Sequence, residues 1–409
     1  MRNLFTLLLL LKLSLGLGQS SLAREHLRVL TSDSLAGRGF TSNGQQKAAD
    51  FIVEQLKSCN VQAGVEDAFR QELSYPVNTF PGTVQYSVVS STTVKIYAIG
   101  KDFLFHSASA PMELEGEIKA ISTEAEIDRK VKNQIFYIEK NVDNAKEVTE
   151  LTQRFLFKNS AKGNLLIIQD SSKWSWFPSS ESSENAVLYV KDKLPKHSKV
   201  SVINESKFIS NFRSSNVVGK IKGQRSDSVI MLSAHYDHLG EQGNAVFKGA
   251  NDNASGVVML LALAKYFAEN QPKFDTYFLF TTAEEIGLLG SYYFIENSPF
   301  DLRKINMLIN LDMVGTGDEG IMVVNAKKQN QYFNLLKQLN KDRIFEIKAR
   351  GEACNSDHCL FDRVGVPAVF IYTLGGKQAY HDIYDNGEDL SLEAFDDLHD
   401  LLIESLEKY

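Results

Sequence analysis

Five short motifs of this chain combine imidazole and carboxylate side chains with apolar residues. In chain order they are SAHYDHLG (233–240), GANDNASG (249–256), TTAEEIGLLGS (281–291), NLDMVG (310–315) and AYHDIYD (379–385). They supply five candidate metal ligands: His235, Asp252, Glu285, Asp312 and His381. Two imidazoles, two terminal carboxylates and one carboxylate that can bridge form a suitable ligand set for a pair of zinc ions. The set therefore predicts metal-assisted hydrolysis.

The chemistry expected of this set needs a base beside the metals. Five ligands over two ions, one of them bridging, leave a position for water between the ions, and zinc can lower the pKa of that water to about 7. Glu284 and Glu285 follow an apolar run that predicts a strand. Adjacent residues at the end of a strand point in different directions, so Glu285 can bind metal while Glu284 faces the water as general base. Asp237 lies two residues after His235, on the same side of an extended chain, where its carboxylate can accept a hydrogen bond from the far nitrogen of His235. One such motif alone would as readily be a satisfied strand end or a solvated helix face, whereas five together favour a metal site.

The elements that would hold these motifs alternate along the second half of the chain. Apolar runs predict strands at 217–221, 229–234, 276–282, 305–311, 321–324 and 368–372. Apolar spacing of three and four predicts helices at 22–30, 44–56, 254–270, 288–296, 329–339 and 392–408. Continuously apolar strands separated by helices predict an α/β fold with a mostly parallel central sheet and helices on both faces. The motifs follow the carboxyl ends of the strands, where sites form in such sheets.

The motifs also resemble a known family, the zinc-dependent aminopeptidases of metallopeptidase family twenty-eight in clan MH. The resemblance covers about 22–70 and 216–409 and implies the zinc exopeptidase, or phosphorylase/hydrolase-like, fold. It implies one zinc held by His235, Asp252 and Asp312, and a second held by Asp252, Glu285 and His381. It further implies that Glu284 is the general base and that Asp237 orients the first histidine.

Two further segments are similar to parts of that family. LAGRG (35–39) is similar to its N-terminal L-x-G-R segment, and SDH (356–358) to a loop that borders the substrate pocket. His358 matches no metal ligand there. His238 lies one residue beyond the H-x-D motif and is interpreted as a loop histidine near the mouth of the site.

The region 76–213 contains short β-rich runs and none of the motifs. It is predicted as an inserted β-rich domain, similar to the protease-associated domain of the family, within a discontinuous peptidase domain of 22–75 and 214–409. Both tryptophans of the chain lie in the segment WSWF (174–177). That segment either covers substrate or another partner, or forms a separate hydrophobic cluster.

Residues 1–18 resemble a signal peptide, with a short cationic start, an apolar stretch and a small-x-small cleavage site at 16–18. A retained signal anchor is the alternative. The chain is therefore expected to be exported, to the periplasm or the extracellular space, with no stable membrane span after cleavage.

A net charge of −7 over 409 residues gives no basic surface for nucleic acid. Cys354 and Cys359 can pair in an exported protein or remain reduced, because spacing alone does not fix their geometry.

The function expected from these observations is an exported di-zinc aminopeptidase that acts on peptides with a free N-terminus. A glutaminyl cyclase with one zinc has the same fold and most of the same ligand positions, but NDNASG (251–256) matches the peptidase form. A non-catalytic binding relative is the third alternative, and such relatives lose ligands that this chain keeps. Carboxypeptidase or dipeptidase specificity remains open at this point.

Overall fold

The computed structural model of the protein describes residues 20–90, 93–128, 130–158, 161–341, 345–377 and 379–409. The predicted signal peptide, 1–18, lies outside them. Among the described residues, no helix combines the length and the apolar character needed to cross a membrane.

The described strands form one large sheet, two smaller sheets and a two-stranded ribbon. In chain order they are β1 (Gln62–Ala63), β2 (Arg70–Thr79), β3 (Val84–Val89), β4 (Val94–Ile96), β5 (Phe103–Phe105), β6 (Met112–Glu117), β7 (Lys119–Ala120), β8 (Ile135–Glu139), β9 (Leu165–Gln169), β10 (Ala186–Val190), β11 (Lys199–Asn204), β12 (Lys207–Ile221), β13 (Arg225–His235), β14 (Gly240–Gln242), β15 (Ala245–Phe247), β16 (Phe274–Thr281), β17 (Ile305–Leu311), β18 (Ile321–Val324), β19 (Ile347–Ala349) and β20 (Ala368–Thr373). The α-helices are α1 (20–30), α2 (Gly44–Ser58), α3 (Ala145–Phe157), α4 (Ser255–Glu269), α5 (Leu289–Glu296), α6 (Asn330–Leu339), α7 (His358–Arg363) and α8 (Phe395–Lys408).

The large sheet runs in the order β1-β12-β16-β13-β17-β20-β18-β19, with β2 also paired to β12. Its four central strands, β16, β13, β17 and β20, are parallel neighbours. Antiparallel pairs join β12 to β16 and β18 to β20, so the sheet is parallel at its centre and mixed towards its edges. The predicted α/β fold with parallel strands is confirmed.

Helices cover both faces of this sheet, as the apolar strands predict. Ile230 and Leu232 of β13 belong to a core cluster that includes residues of α2, α4, α6 and α8. Met231, between them, belongs to a second cluster on the opposite face with Phe294 of α5 and Phe361 of α7. Successive side chains of a strand point to opposite faces, so a strand buried on both sides must be apolar at every position.

The strands β3 to β11 all lie within 76–213 and form the two smaller sheets. The five-stranded sheet has the order β5-β10-β9-β8-β7, and the four-stranded sheet β4-β3-β11-β6. The predicted domain limits at 75/76 and 213/214 fall inside the paired strands β2 and β12, whose ladder continues from Arg70↔Val217 to Thr79↔Lys207. The β-rich region is therefore joined to the large sheet by continuous β structure, and the division into domains stays a prediction.

Candidate metal centre

Three neighbouring strands bring predicted ligands to one edge of the sheet. His235 is the last residue of β13, and Asp312 follows the end of β17. Glu284 and Glu285 lie in the turn that begins after Thr281, the last residue of β16. Because these strands are parallel neighbours, their carboxyl ends meet, and the turns beyond them converge.

The remaining two ligands come from loops above the same edge. Asp252 lies directly before α4, and His381 lies between β20 and α8. All five predicted ligands are buried; His235 is 1% exposed and His381 2%. The structure thus brings together residues that are separated by up to 146 positions in the chain.

Asp252 lies between the two histidines. Its Oδ1 is 3.3 Å from Nε2 of His235, and its Oδ2 is 3.0 Å from Nε2 of His381. Each carboxylate oxygen therefore faces a different imidazole, which is the arrangement that a bridging ligand requires.

The outer ligands complete the two halves of the cluster. Oδ1 of Asp312 is 3.4 Å from Nε2 of His235, and Oε2 of Glu285 is 3.1 Å from Nε2 of His381. Oδ1 of Asp312 is buried and has no hydrogen-bond partner among the described residues. The ligand atoms of His235, Glu284 and Asp312 also lie within 4.8 Å of one another, so Glu284 faces the half of the cluster that contains Asp312.

The contact between Asp237 and His235 differs from the expected one. Nδ1 of His235 lies 3.2 Å from the backbone carbonyl of Asp237, whereas the Asp237 carboxylate is 3.8 Å away. That carboxylate instead accepts hydrogen bonds from the backbone N–H groups of Glu284, at 3.2 Å, and Glu285, at 3.4 Å. The prediction that the Asp237 carboxylate accepts a hydrogen bond from His235 is therefore wrong, because the Asp237 side chain points towards the Glu284–Glu285 turn. The backbone carbonyl still fixes the tautomer that leaves Nε2 of His235 free for a ligand bond.

Negative charge dominates the electrostatics of the cluster. Burial lowers the pKa of His235, but the carboxylates of Asp312 and Glu284 outweigh it and raise that pKa well above its ordinary value. For His381, burial is likewise outweighed, chiefly by Glu285, and the pKa rises to about 11. Burial raises the pKa of Glu284 well above its ordinary value. Protons on the imidazoles thus compensate the carboxylates, and bound cations would do the same.

His238 is a part of the site that the sequence interpretation misplaced. It is fully buried rather than at the mouth, and its Nδ1 lies 2.6 Å from Oε1 of Glu285. It therefore holds the oxygen of Glu285 that faces away from His381. The H-x-D-H spacing was the available signal, but β13 ends at His235, so strand periodicity gives no direction for residue 238.

Asp385 and Arg38 hold the loop that carries Asp252, and sequence reasoning gave neither a role. The Asp385 carboxylate accepts the backbone N–H groups of Asn251 and Asp252, at 2.9 and 3.0 Å. The fully buried Arg38 donates to backbone carbonyls on both sides of that loop, including Gly249 at 2.7 Å and Asp252 at 3.3 Å. Its segment was recognised only by its similarity to L-x-G-R.

The loop 354–359 lies behind Asp312. Cys354 and Cys359 form a disulfide, with Cα atoms 4.9 Å apart, which decides between the two alternatives. Within this loop Ser356 donates a 2.8 Å hydrogen bond to Oδ2 of Asp312. His358 does not reach the cluster; its Nε2 contacts the backbone carbonyl of Ala353 at 2.9 Å.

The donor set fits zinc. Four ligands placed tetrahedrally at 2.0–2.1 Å from zinc lie about 3.3 Å apart. The nitrogen–oxygen separations in the cluster span 3.0 to 3.4 Å, on both sides of Asp252. Imidazole nitrogens and carboxylate oxygens are ligands that zinc prefers, and the unpartnered Oδ1 of Asp312 has a free lone pair for one.

Part of the chain is similar to known proteins. Residues 216–406 match the model of Peptidase family M28. Aminopeptidase YwaD of Bacillus subtilis (strain 168) is 29% identical over 208 residues, covering 48% of this chain and 45% of that protein. A probable leucine aminopeptidase of Arthroderma otae is 30% identical over 241 residues, covering 53% of this chain and 63% of that protein. The vacuolar membrane protease of Saccharomyces cerevisiae is 30% identical, covering 54% and 22%. The chain thus spans less than two thirds of the length of each of these relatives.

Solved structures match nearly the whole chain. The structure of BSAP, a zinc aminopeptidase from Bacillus subtilis, aligns with a TM-score of 0.68 at 19% identity and covers 94% of this chain and 93% of that one. A Peptidase M28 precursor from Shewanella amazonensis aligns with a TM-score of 0.63 at 17% identity, covering 96% and 98%. At these identities the likeness shows a shared fold. Residues 216–406, which match the family model, contain all five residues of the buried ligand cluster.

Proposed function

We propose that the protein is an exported aminopeptidase that removes N-terminal residues from peptides with the help of two zinc ions. The observation that carries the proposal is the position of Asp252, whose two oxygens each face a different histidine at 3.3 and 3.0 Å. His235, Asp252 and Asp312 would hold one ion; Asp252, Glu285 and His381 would hold the other. Zinc, when bound, supplies an acidified water and a Lewis acid for the scissile carbonyl.

Glu284 would act as the general base. It faces the cluster without a short contact to either histidine, and it is partly open to solvent while the five ligands are buried. Its partial burial and the neighbouring Glu285 carboxylate raise the pKa of Glu284, which favours proton uptake from an attacking water and later transfer to the leaving amine. Asp237 contributes by position, because it accepts the N–H groups of both residues in the Glu284–Glu285 turn.

The names of the relatives support the choice of reaction. YwaD and the Arthroderma protein are named aminopeptidases, and BSAP is described as a zinc aminopeptidase. We further propose that the substrates are peptides with a free N-terminus. We also propose that residues 22–75 and 214–409 form the peptidase domain and that residues 76–213 form an inserted domain. Export rests on the predicted signal peptide alone and would be tested by N-terminal sequencing of protein from the culture medium or periplasm.

Hydrolysis of a panel of aminoacyl chromogenic substrates tests the reaction. The proposal requires cleavage of free aminoacyl compounds, no cleavage of N-acetylated ones, and loss of cleavage with a zinc chelator followed by recovery on adding zinc. Equal cleavage of N-acetylated substrates, or release of C-terminal residues from blocked peptides, would contradict it. Cyclisation of N-terminal glutamine without hydrolysis would identify the cyclase alternative instead.

A further inference from the structure

A cavity lies beside the metal centre, inside the β-rich region. It has a volume of about 280 Å³. Half of its twelve lining residues are polar or charged, and the apolar and aromatic half is Leu104, His106, Trp174, Trp176, Phe177 and Tyr189. This volume suits one large side chain rather than a drug-sized ligand, since pockets for the latter begin at about 300 Å³.

Trp176, which lines this cavity, also contacts a residue of the metal centre through its backbone. The backbone N–H of Trp176 donates to the carbonyl of His381 at 3.0 Å, and Nδ1 of His381 lies 3.1 Å from the carbonyl of Trp176. The Phe177 ring, which lines the cavity, has its centroid 4.4 Å from that of the His381 ring. The cavity and the metal centre therefore share Phe177 as a wall.

The aromatic surface at this wall is open to solvent. Phe177 is 49% exposed, and Tyr380, whose ring also stacks on His381, is 39% exposed. Trp176, in contrast, is buried, with its ring stacked on Phe247 and its indole N–H donated to the carbonyl of Phe105 at 2.9 Å. A rigid support with exposed aromatic groups at a cavity mouth is typical of a ligand-binding surface.

The charged groups of the lining are already paired. Lys140 lies 2.8 Å from Asp170, and Lys173 lies 3.2 Å from Asp382. His106 is neutral at physiological pH, because burial lowers its pKa to about 4. A charged ligand would have to displace these partners, so the lining favours a neutral, apolar or aromatic group.

We propose that this cavity, the Phe177 subsite, binds a large apolar or aromatic side chain of the peptide substrate, and that Phe177 determines this specificity. The inference rests on the proposed peptidase function. Successive residues of an extended peptide are about 3.4 Å apart. A peptide with its N-terminal residue at the metal centre and its chain passing Phe177 therefore places its second or third residue in the subsite.

A set of tetrapeptides with one N-terminal residue tests the proposal. The set is Leu-Gly-Gly-Gly, Leu-Phe-Gly-Gly, Leu-Gly-Phe-Gly and Leu-Gly-Glu-Gly, and release of leucine gives kcat/KM for each. The wild-type protein should cleave one of the two phenylalanine peptides about tenfold faster than the all-glycine peptide, the size expected when a hydrophobic pocket is filled. In Phe177→Ala the ratio should fall to about one, and Phe177→Leu should keep an intermediate ratio.

Two controls separate the possible failures. Phe157→Ala removes a phenylalanine of similar exposure, 41%, from the end of α3, and should leave the ratio unchanged. Zinc content of Phe177→Ala should equal that of wild type, because its side chain is not a ligand. If leucine is released but the ratio is the same in wild type and Phe177→Ala, or if Phe177→Ala loses zinc, the subsite is refuted. If none of the peptides and no aminoacyl chromogenic substrate is cleaved, the proposed function itself fails.

Discussion

The metal centre and the β-rich region of 76–213 contribute to one site by different kinds of contact. The candidate metal centre consists of side chains at the ends of parallel strands and in two loops above them, and few residue types offer the donor atoms that a metal ion needs. The β-rich region contributes a backbone carbonyl of Trp176 and the exposed ring of Phe177. Side chains that perform chemistry leave a pattern in a sequence, whereas a backbone contact leaves none.

The groups that hold the two regions in place also differ. Behind the metal ligands stand buried polar groups, such as Asp385 and Ser356, that fix loops through hydrogen bonds. Behind the Trp176–Phe177 segment stands a hydrophobic cluster in which Trp176 packs on Phe247. We therefore expect variants of the first region to act on metal and chemistry, and variants of the second to act on the position of His381 and on substrate preference.

The largest effect is expected from Asp252→Ala. It removes the carboxylate that faces both His235 and His381, so neither ion would keep its full ligand set. Metal catalysis is worth several kcal/mol, and kcat/KM should fall by about 10³-fold or more. Zinc measured by elemental analysis should fall below one ion per chain. Full zinc and full activity in this variant would show that Asp252 does not bridge.

The next effect separates two adjacent residues of the metal centre. Glu284→Gln should lower kcat by about 10²–10⁴-fold and keep its zinc, because the loss concerns proton transfer. Glu285→Gln should lower zinc content as well, because its carboxylate lies 3.1 Å from Nε2 of His381. Loss of zinc from Glu284→Gln alone would mean that the two roles are exchanged.

Trp176→Ala tests whether the β-rich region supports the metal centre. Without the indole ring, its backbone would no longer be held against His381, and zinc affinity should fall about 10–100-fold, as for other groups that orient ligands. Trp176→Phe should restore part of the affinity, since it can still pack on Phe247. The measurement is competition with a chelator of known affinity, with thermal melts to confirm folding.

Trp174→Ala is the matched control for this variant. Trp174 lies in the same segment, and its indole N–H donates to the Asp170 carbonyl rather than supporting His381. Its loss should leave zinc affinity unchanged. Equal affinities in Trp176→Ala, Trp174→Ala and wild type would mean that the two regions are independent.

The smallest effect concerns acid stability of the β-rich region. Burial lowers the folded-state pKa of His106 to about 4, below its ordinary 6.5. The stability gained from its neutral imidazole is therefore present above pH 6.5 and is lost as the pH falls towards 4, by about 2 kcal/mol at pH 5. Between pH 7 and 5, chelator-treated wild type should lose more unfolding free energy than His106→Gln, measured by urea denaturation. An identical loss in both proteins would show that His106 does not titrate in the fold.

The parallel strands were predictable from sequence, because strand burial requires apolar runs. His235, Glu285 and Asp312 lie at or just after the ends of these strands, whereas Asp252 and His381 lie in loops and were found through their motifs. The role of the five residues as metal ligands stays a prediction. The contact of Asp237 was not predictable. Residues two positions apart lie on the same side only while the chain stays extended, and β13 ends at His235. The short strands β1 and β19 and the six-residue helix α7 escaped prediction because they are too short for periodicity. Of the alternatives for the tryptophan segment, the hydrophobic cluster is confirmed for Trp176, which packs there.

The most direct test of the two-zinc centre is a zinc titration of chelator-treated wild-type protein. Each addition would be followed by hydrolysis of leucyl p-nitroanilide and of its N-acetylated form. We expect tight uptake of two zinc ions per chain and hydrolysis of the free compound that depends on the bound zinc. Full hydrolysis after a single ion, or without any zinc, would contradict it.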